Sequence, residues 1–160
     1  PDWPVCMVDW DGAAAFAAWE AARTRQPWRL PGELAWEKAA RGVDGRFYPW
    51  GDGFDPSWAC MVQSHRDRIL PAPVGAFPVD ESPYGVRDLA GGMQEWCRDA
   101  FVDTAVSPAA APAATGAHLR AIRGGSFGDA PSLLRAVFRY GQEPAARSSD
   151  LSFRLARTLG

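Results

Sequence analysis

The sequence predicts an α+β domain, rich in loops, with two helices early in the chain and short strands late. Three observations predict it. Helical spacing of apolar residues is confined to the first 42 or so positions, and alternation is confined to the last 70. The 160 residues include 16 Gly, 14 Pro, eight Trp and eight Phe, the mark of a chain that turns often and is pinned by large rings. That length suits one compact domain, 1–160.

The first helix is read over 11–25, DGAAAFAAWEAARTR. Phe16, Trp19 and Ala22 or Arg23 recur at helical spacing, so Phe16 and Trp19 are expected in the core. Asp9 or Asp11 caps its start, its terminal arginines suit the macrodipole, and Pro27 stops it. A second helix follows Pro31, over about 32–41, with Gly42 as the residue past its end. Leu34 with Lys38 marks one face, and Glu33 with Trp36 and Glu37 the other. FYPWGDGFDP is a turn wrapped by Tyr48 and Trp50. Residues 57–82 show little periodicity and read as loop, with VGAFP (74–78) as a short extended piece. Gly91 and Gly92 argue against a helix through DLAGGMQEW, and a strand is expected to open at Trp96 and run toward Phe101. TAVSPAAAPAATGA (104–117) is a low-complexity loop. HLRAIRGG is the clearest strand, with Leu119, Ala121 and Arg123 on one face, and LSFRLAR closes the chain as another.

Bulk properties exclude some functions. The formal net charge of −2 provides no basic field for nucleic acid or an acidic membrane. No apolar run is long enough to span a bilayer and no signal peptide opens the chain, so a cytoplasmic location is expected. Cys6, Cys60 and Cys97 are odd in number and far apart, which suits buried reduced thiols better than a zinc or redox motif. His65 and His118 fall in no metal-ligand pattern.

Six phrases in order carry more than composition: PVCMVDWDGAAAFAAW, WRLPGELAWEKAARG, FYPWGD, PVGAFPVDESPYGVRDLAGGMQEW, RAIRGGSF and FRLAR. Together they resemble the formylglycine-generating enzyme, or sulfatase-modifying factor, family, from Pro4 to Arg157. The resemblance implies a variant of the C-type lectin fold: a small twisted antiparallel sheet, two flanking helices and long loops on one side. The family's opening segment with its early strands is expected to be missing, so 1–160 is read as one domain short of its N-terminal part. The resemblance gives Trp19, Trp36, Trp50 and Trp96 packing roles, and Phe127 and Phe153 are read as core.

The family's oxidase activity implies a cysteine pair holding Cu(I) in the loop after the GGS phrase, since the soft ion prefers thiolate. Here that loop holds no Cys. Asp129 and Leu134 stand near the two positions, so no copper and no formylglycine-generating activity are expected. Related non-haem iron members need a His-rich domain that two scattered histidines do not supply. Calcium is the better inorganic expectation. The family segment resembling DLAGGMQEW implies ligands at the Asp88 side chain, the Gly91 carbonyl, the Met93 carbonyl and the Glu95 side chain.

The resemblance also extends to the variable proteins of diversity-generating retroelements, whose frame of GGS, Pro, Leu-Arg, Arg, Pro, Arg and FR is matched by Gly124-Gly125-Ser126, Pro131, Leu134-Arg135, Arg139, Pro144, Arg147 and Phe153-Arg154. Gly128, Asp129, Ala130, Leu133, Phe138, Tyr140 and Gly141 lie between them, and each can arise from an Asn codon by changing only its adenines. The expectation is a non-catalytic ligand-binding domain with a variable face at about 127–152. Its contacts would be those seven residues with Ser148 and Asp150, and its partner a protein or small ligand of unknown identity. The alternatives are an oxidoreductase of the family type and an accessory sensor domain of a larger signalling protein such as a kinase.

Overall fold

In the computed structural model, residues 2–102 and 119–158 are described. The low-complexity loop read at 104–117 lies outside the described residues. Two helices, α1 (Trp10–Thr24) and α2 (Glu33–Arg41), precede four strands: β1 (Gln94–Ala100), β2 (Arg120–Arg123), β3 (Tyr140–Gln142) and β4 (Leu151–Ser152). The sheet order is β3-β2-β1-β4. The β1–β2 and β2–β3 pairs are antiparallel. The edge pair β1–β4 is parallel, with Gln94 opposite Leu151, so the sheet is mixed.

The helix ends follow their sequence signals, with one addition. Asp9 caps α1 by accepting the Gly12 amide N–H at 2.8 Å. The helix ends one residue short of Arg25, which is left-handed at φ 54° two residues ahead of Pro27. Gly42, at φ 67°, closes α2 by donating to the Lys38 carbonyl at 3.1 Å. Gly32 offers no side chain to cap the start of α2. Asp99, at the far end of β1, does so instead, accepting the Glu33 amide at 2.6 Å.

Alternation along β1 and β2 divides the core in two. Cys97 and Ala121 face α2 and pack with Trp36, Ala40, Leu89 and Ala136. Trp96 and Ile122, opposite each other in register, face α1 and pack with Ala13, Leu30 and Leu151. The sheet is thus a middle layer with one helix on each face. A third cluster, Tyr48, Ala59, Met61, Ala90 and Leu134, lies under the loops. The Tyr48 ring stacks on Trp50 at 5.0 Å, as the FYPWGD turn requires.

Several sequence expectations are corrected. Phe16 and Trp19 are not core: they are 45% and 56% exposed, and α1 instead buries the small faces of Ala13 and Ala17. Their helical spacing is real but marks the outer side, because close approach of α1 to the sheet selects alanine. Phe16 meets Phe153 edge-on at 5.6 Å. Phe127 and Phe153 are half-buried. VGAFP is a turn, not an extended piece, with Gly75 at φ 76°.

Candidate functional site

Two cavities adjoin the sheet's loop end. The first, about 180 Å³, is lined by Gln94, Ile122, Arg123, Gly125, Asp129, Leu133, Phe138 and Tyr140. Its floor is fixed by arginines. Arg123, side chain nearly fully buried, reaches back to α2, with Nε 3.1 Å from Glu33 Oε1 and Nη2 bonded to Glu37. Its Nη1 donates to the carbonyls of Ala136 and Phe138, at 3.0 and 2.8 Å. Arg139 grips the same Glu33 with two bonds, at 2.5 and 2.6 Å. Such charge-assisted, two-pronged bonds hold a loop in one place. Arg147 does the same further on, donating to Asp9 at 2.6 Å. That bond holds the Asp9 carboxyl below its usual range, with help from the Gly12 amide.

The loop's turn is built by glycine. Gly125 has φ 69°, and a Cβ there would stand 2.9 Å from the Leu133 carbonyl oxygen. Asp129 Oδ2 closes the loop, accepting the Ser126 amide at 2.8 Å, the Ser126 hydroxyl at 2.9 Å and Gln94 Nε2 at 3.3 Å. Leu134, the other position read against the family's cysteine pair, is fully buried in the third cluster.

Four of the contact residues read from sequence, Asp129, Leu133, Phe138 and Tyr140, share this cavity, and Tyr140 is 55% exposed at its edge. Gly128 and Ala130 are exposed beside them. Gly141 stands apart: it is buried, and a Cβ there would meet the Phe101 ring at 2.4 Å. It therefore serves packing, not the approach of a partner. Ser148 and Asp150 bond to each other, and the Asp150 carbonyl accepts the Gln94 amide at 2.8 Å, outside the cavity lining. Gln94, Ile122 and Arg123 line the cavity without having been singled out. Only register across β1, β2 and β3 brings them there.

The second cavity, about 340 Å³, is lined by all four residues read as calcium ligands. Around them lie Asp80, Cys60, Arg154 and an apolar wall that includes Val5, Val74 and Phe77. The DLAGG loop forms by left-handed backbone: Asp88 is at φ 55°, Gly91 at 79° and Gly92 at 68°. No side chain fits at Gly91, where a Cβ would lie 2.1 Å from the Cys60 carbonyl oxygen. Glu95 is heavily engaged. Trp36 Nε1 donates to its Oε2 at 2.7 Å, and Arg154 takes both oxygens at 2.6 Å. Arg154 also donates to the Asp88 carbonyl at 2.6 Å. Asp88 Oδ2 accepts the Gly75 amide at 2.9 Å.

Asp80 differs from both. It is 2% exposed, its Oδ2 accepts the Ala90 amide at 2.9 Å, and its Oδ1 has no hydrogen-bond partner among the described residues. Burial pushes its carboxyl up to about 7. An orphaned carboxylate oxygen in a cavity also lined by Asp88 and Glu95 is an environment that a cation fits. Cys60 is a poor candidate for a soft metal, since burial pushes its thiol up to about 11. Its Sγ lies 3.9 Å from His65 Nε2, which leaves His65 half-buried rather than free in solvent. Among the described residues, no group of three or more His, Cys, Asp or Glu forms a ready metal cluster.

A sheet with one helix on each face, capped by long loops on arginine anchors, defines an α+β domain of C-type lectin type. The chain belongs to the sulfatase-modifying factor family: the model of the sulfatase-modifying factor enzyme 1-like domain matches residues 1–159. The inactive C-alpha-formylglycine-generating enzyme 2 of Mus musculus is 34% identical over 171 residues, covering 98% of this chain and 50% of that protein. The formylglycine-generating enzyme of Streptomyces coelicolor is 34% identical over 174 residues, covering 98% of this chain and 53% of that protein. The chain thus spans about half the length of these curated relatives. The structure of Treponema denticola variable protein 1 has the same fold, with a TM-score of 0.77 at 22% identity over 98% of this chain and 71% of that one. No helix among the described residues is long and apolar enough to cross a membrane.

Proposed function

We propose that this chain is a non-catalytic binding domain whose loop face, about 127–152, takes up a partner at the cavity bordered by Asp129, Leu133, Phe138 and Tyr140. One observation carries the reading. The loop is held rigidly at its base by Arg123 and Arg139, yet leaves the Phe138 and Tyr140 rings on an open 180 Å³ cavity. Rigid aromatic anchors over a pocket are what interfaces use for affinity at low entropic cost. The lining has no thiol, and Asp129 is committed to the loop itself, which supports a domain without copper chemistry. A 34%-identical relative named as inactive is in keeping with it.

Panning a displayed random-peptide library on the purified chain tests the proposal. Peptides should enrich and should lose most of their affinity on a Phe138→Ala/Tyr140→Ala variant. Enrichment that ignores both rings defeats it, as does tight stoichiometric Cu(I) binding in a parallel titration. Sequencing the DNA around the 3′ end of the gene tests the retroelement form of the proposal. A near-copy of codons 123–154 differing only at adenines, beside a reverse transcriptase gene, would establish it.

A structural calcium ion in the larger cavity is a second reading, favoured by the gathering of Asp88, Gly91, Met93 and Glu95 in its lining. Asp88, Gly91, Met93 and Glu95 would hold it, and the ion would supply positive charge that fixes the DLAGG loop.

A further inference from the structure

The carboxylates around the larger cavity do not share one situation. Glu95 receives three N–H bonds, from Trp36 and twice from Arg154, so little of its oxygen capacity remains. Asp88 gives one oxygen to Gly75. Among the described residues of this cavity, Asp80 alone keeps a buried carboxylate oxygen, Oδ1, that makes no hydrogen bond of normal geometry, although the Leu89 amide is near enough to help hold the carboxyl down. Leaving such an oxygen unmet is costly, and more so when the group is charged. The formal charges agree. With Asp80 ionised, Asp80, Glu81, Asp88 and Glu95 count four negative, and Arg87, which is paired with Glu81, and Arg154 count two positive, leaving −2.

We propose that Asp80 is an anionic ligand of a divalent cation of the calcium kind in this cavity, supplying through Oδ1 the oxygen that Glu95 has given to Arg154. The proposal rests on the calcium reading above and puts the Asp80 carboxylate in the place that reading gave to Glu95. Carboxylate and carbonyl oxygens on irregular backbone suit calcium's flexible shell of six to eight ligands better than the strict octahedron of magnesium. Asp80 is also tied to the loop it would serve. Its Oδ2 takes the Ala90 amide and its carbonyl takes the Asp88 amide, at 2.9 and 3.1 Å, so the carboxylate is placed before any ion arrives.

The test compares the chain with Asp80→Asn, which keeps an oxygen for the Ala90 amide but removes the charge. Calcium is titrated by calorimetry into chelator-stripped protein, and Tm is measured in EDTA and in calcium. The wild type should bind one ion per chain, and the variant should bind at least about tenfold more weakly. In EDTA the variant should be as stable as the wild type or more so, because the cost of burying an ionised carboxylate has been removed. Calcium should raise the wild-type Tm and leave that of the variant nearly unchanged. Equal calcium affinity in the two proteins would overturn the role of Asp80 while leaving the calcium reading intact. A variant destabilised equally in EDTA and in calcium would reduce Asp80 to a packing group. A wild type that binds no calcium at millimolar concentration would end both.

Discussion

The two cavities hold carboxylates of opposite kinds. Asp129, by the smaller one, is a builder: a single oxygen collects bonds from the Ser126 amide, the Ser126 hydroxyl and Gln94. Asp80, by the larger one, lies deeper and keeps an oxygen with no hydrogen-bond partner among the described residues. The same side chain therefore signals different things in the two places. Where the loop consumes it, the proposed binding is left to the rings and apolar groups around it. Where no hydrogen bond consumes it, the carboxylate oxygen is the one proposed as a ligand. The arginines divide similarly. Arg123 and Arg139 join the loop face to α2, whereas Arg154 is turned inward on Glu95 and the Asp88 carbonyl.

The harshest way to break this contrast is at the larger cavity. Arg154→Met leaves the Glu95 carboxylate, 6% exposed, with only Trp36 to face it. Removing one partner of a buried pair costs about 3–5 kcal/mol, to be read as a shift in urea midpoint at constant slope. Gly91→Ala should cost about 3 kcal/mol or more, because it combines a left-handed φ with a Cβ 2.1 Å from the Cys60 carbonyl oxygen. If either variant unfolds like the wild type, the cavity's walls are not fixed as described. Gly141→Ala comes next, at about 1–3 kcal/mol, since its Cβ meets a ring that can partly yield. Gly128→Ala should stay within about 0.5 kcal/mol, its Cβ 3.9 Å from Ser126 Oγ. Equal losses from the two glycine variants would erase the distinction between packing and tip within one loop.

What the sequence made legible follows from how local each signal is. Both helices and their ends could be read, because a cap or a glycine acts within four residues. The Asp99 cap on α2 could not, since it comes from 66 residues away. Helical spacing showed that Phe16 and Trp19 share a side of α1 but not which side faces inward. That depends on how closely the helix approaches the sheet, and alanine won. Asp129, Leu133, Phe138 and Tyr140 could be picked out together, within a longer set, because they lie close in the chain, from the loop to the first residue of β3. Gln94 and Ile122 were not, because strand register assembles them. Asp80 lay in the stretch 57–82 read as loop, with nothing to single it out. Its empty oxygen is a property of the packed molecule alone.

The gentlest variants sharpen the contrast most. Asp129→Ala removes the acceptor for the Ser126 amide and hydroxyl, and a half-buried charged acceptor of this kind contributes about 1–2 kcal/mol. Tyr140→Ala removes a ring that is 55% exposed and should change stability by no more than about 0.5 kcal/mol. If the two residues divide labour as described, peptides selected on the loop face should respond in the reverse order. Tyr140→Ala would weaken them sharply in a fold that melts unchanged. Asp129→Asn, which keeps an acceptor oxygen for Ser126, would bind them nearly as the wild type does. The opposite pattern, with affinity following the Asp129 charge and ignoring the ring, would make Asp129 a ligand-seeking carboxylate like Asp80, and the two cavities would then be of one kind.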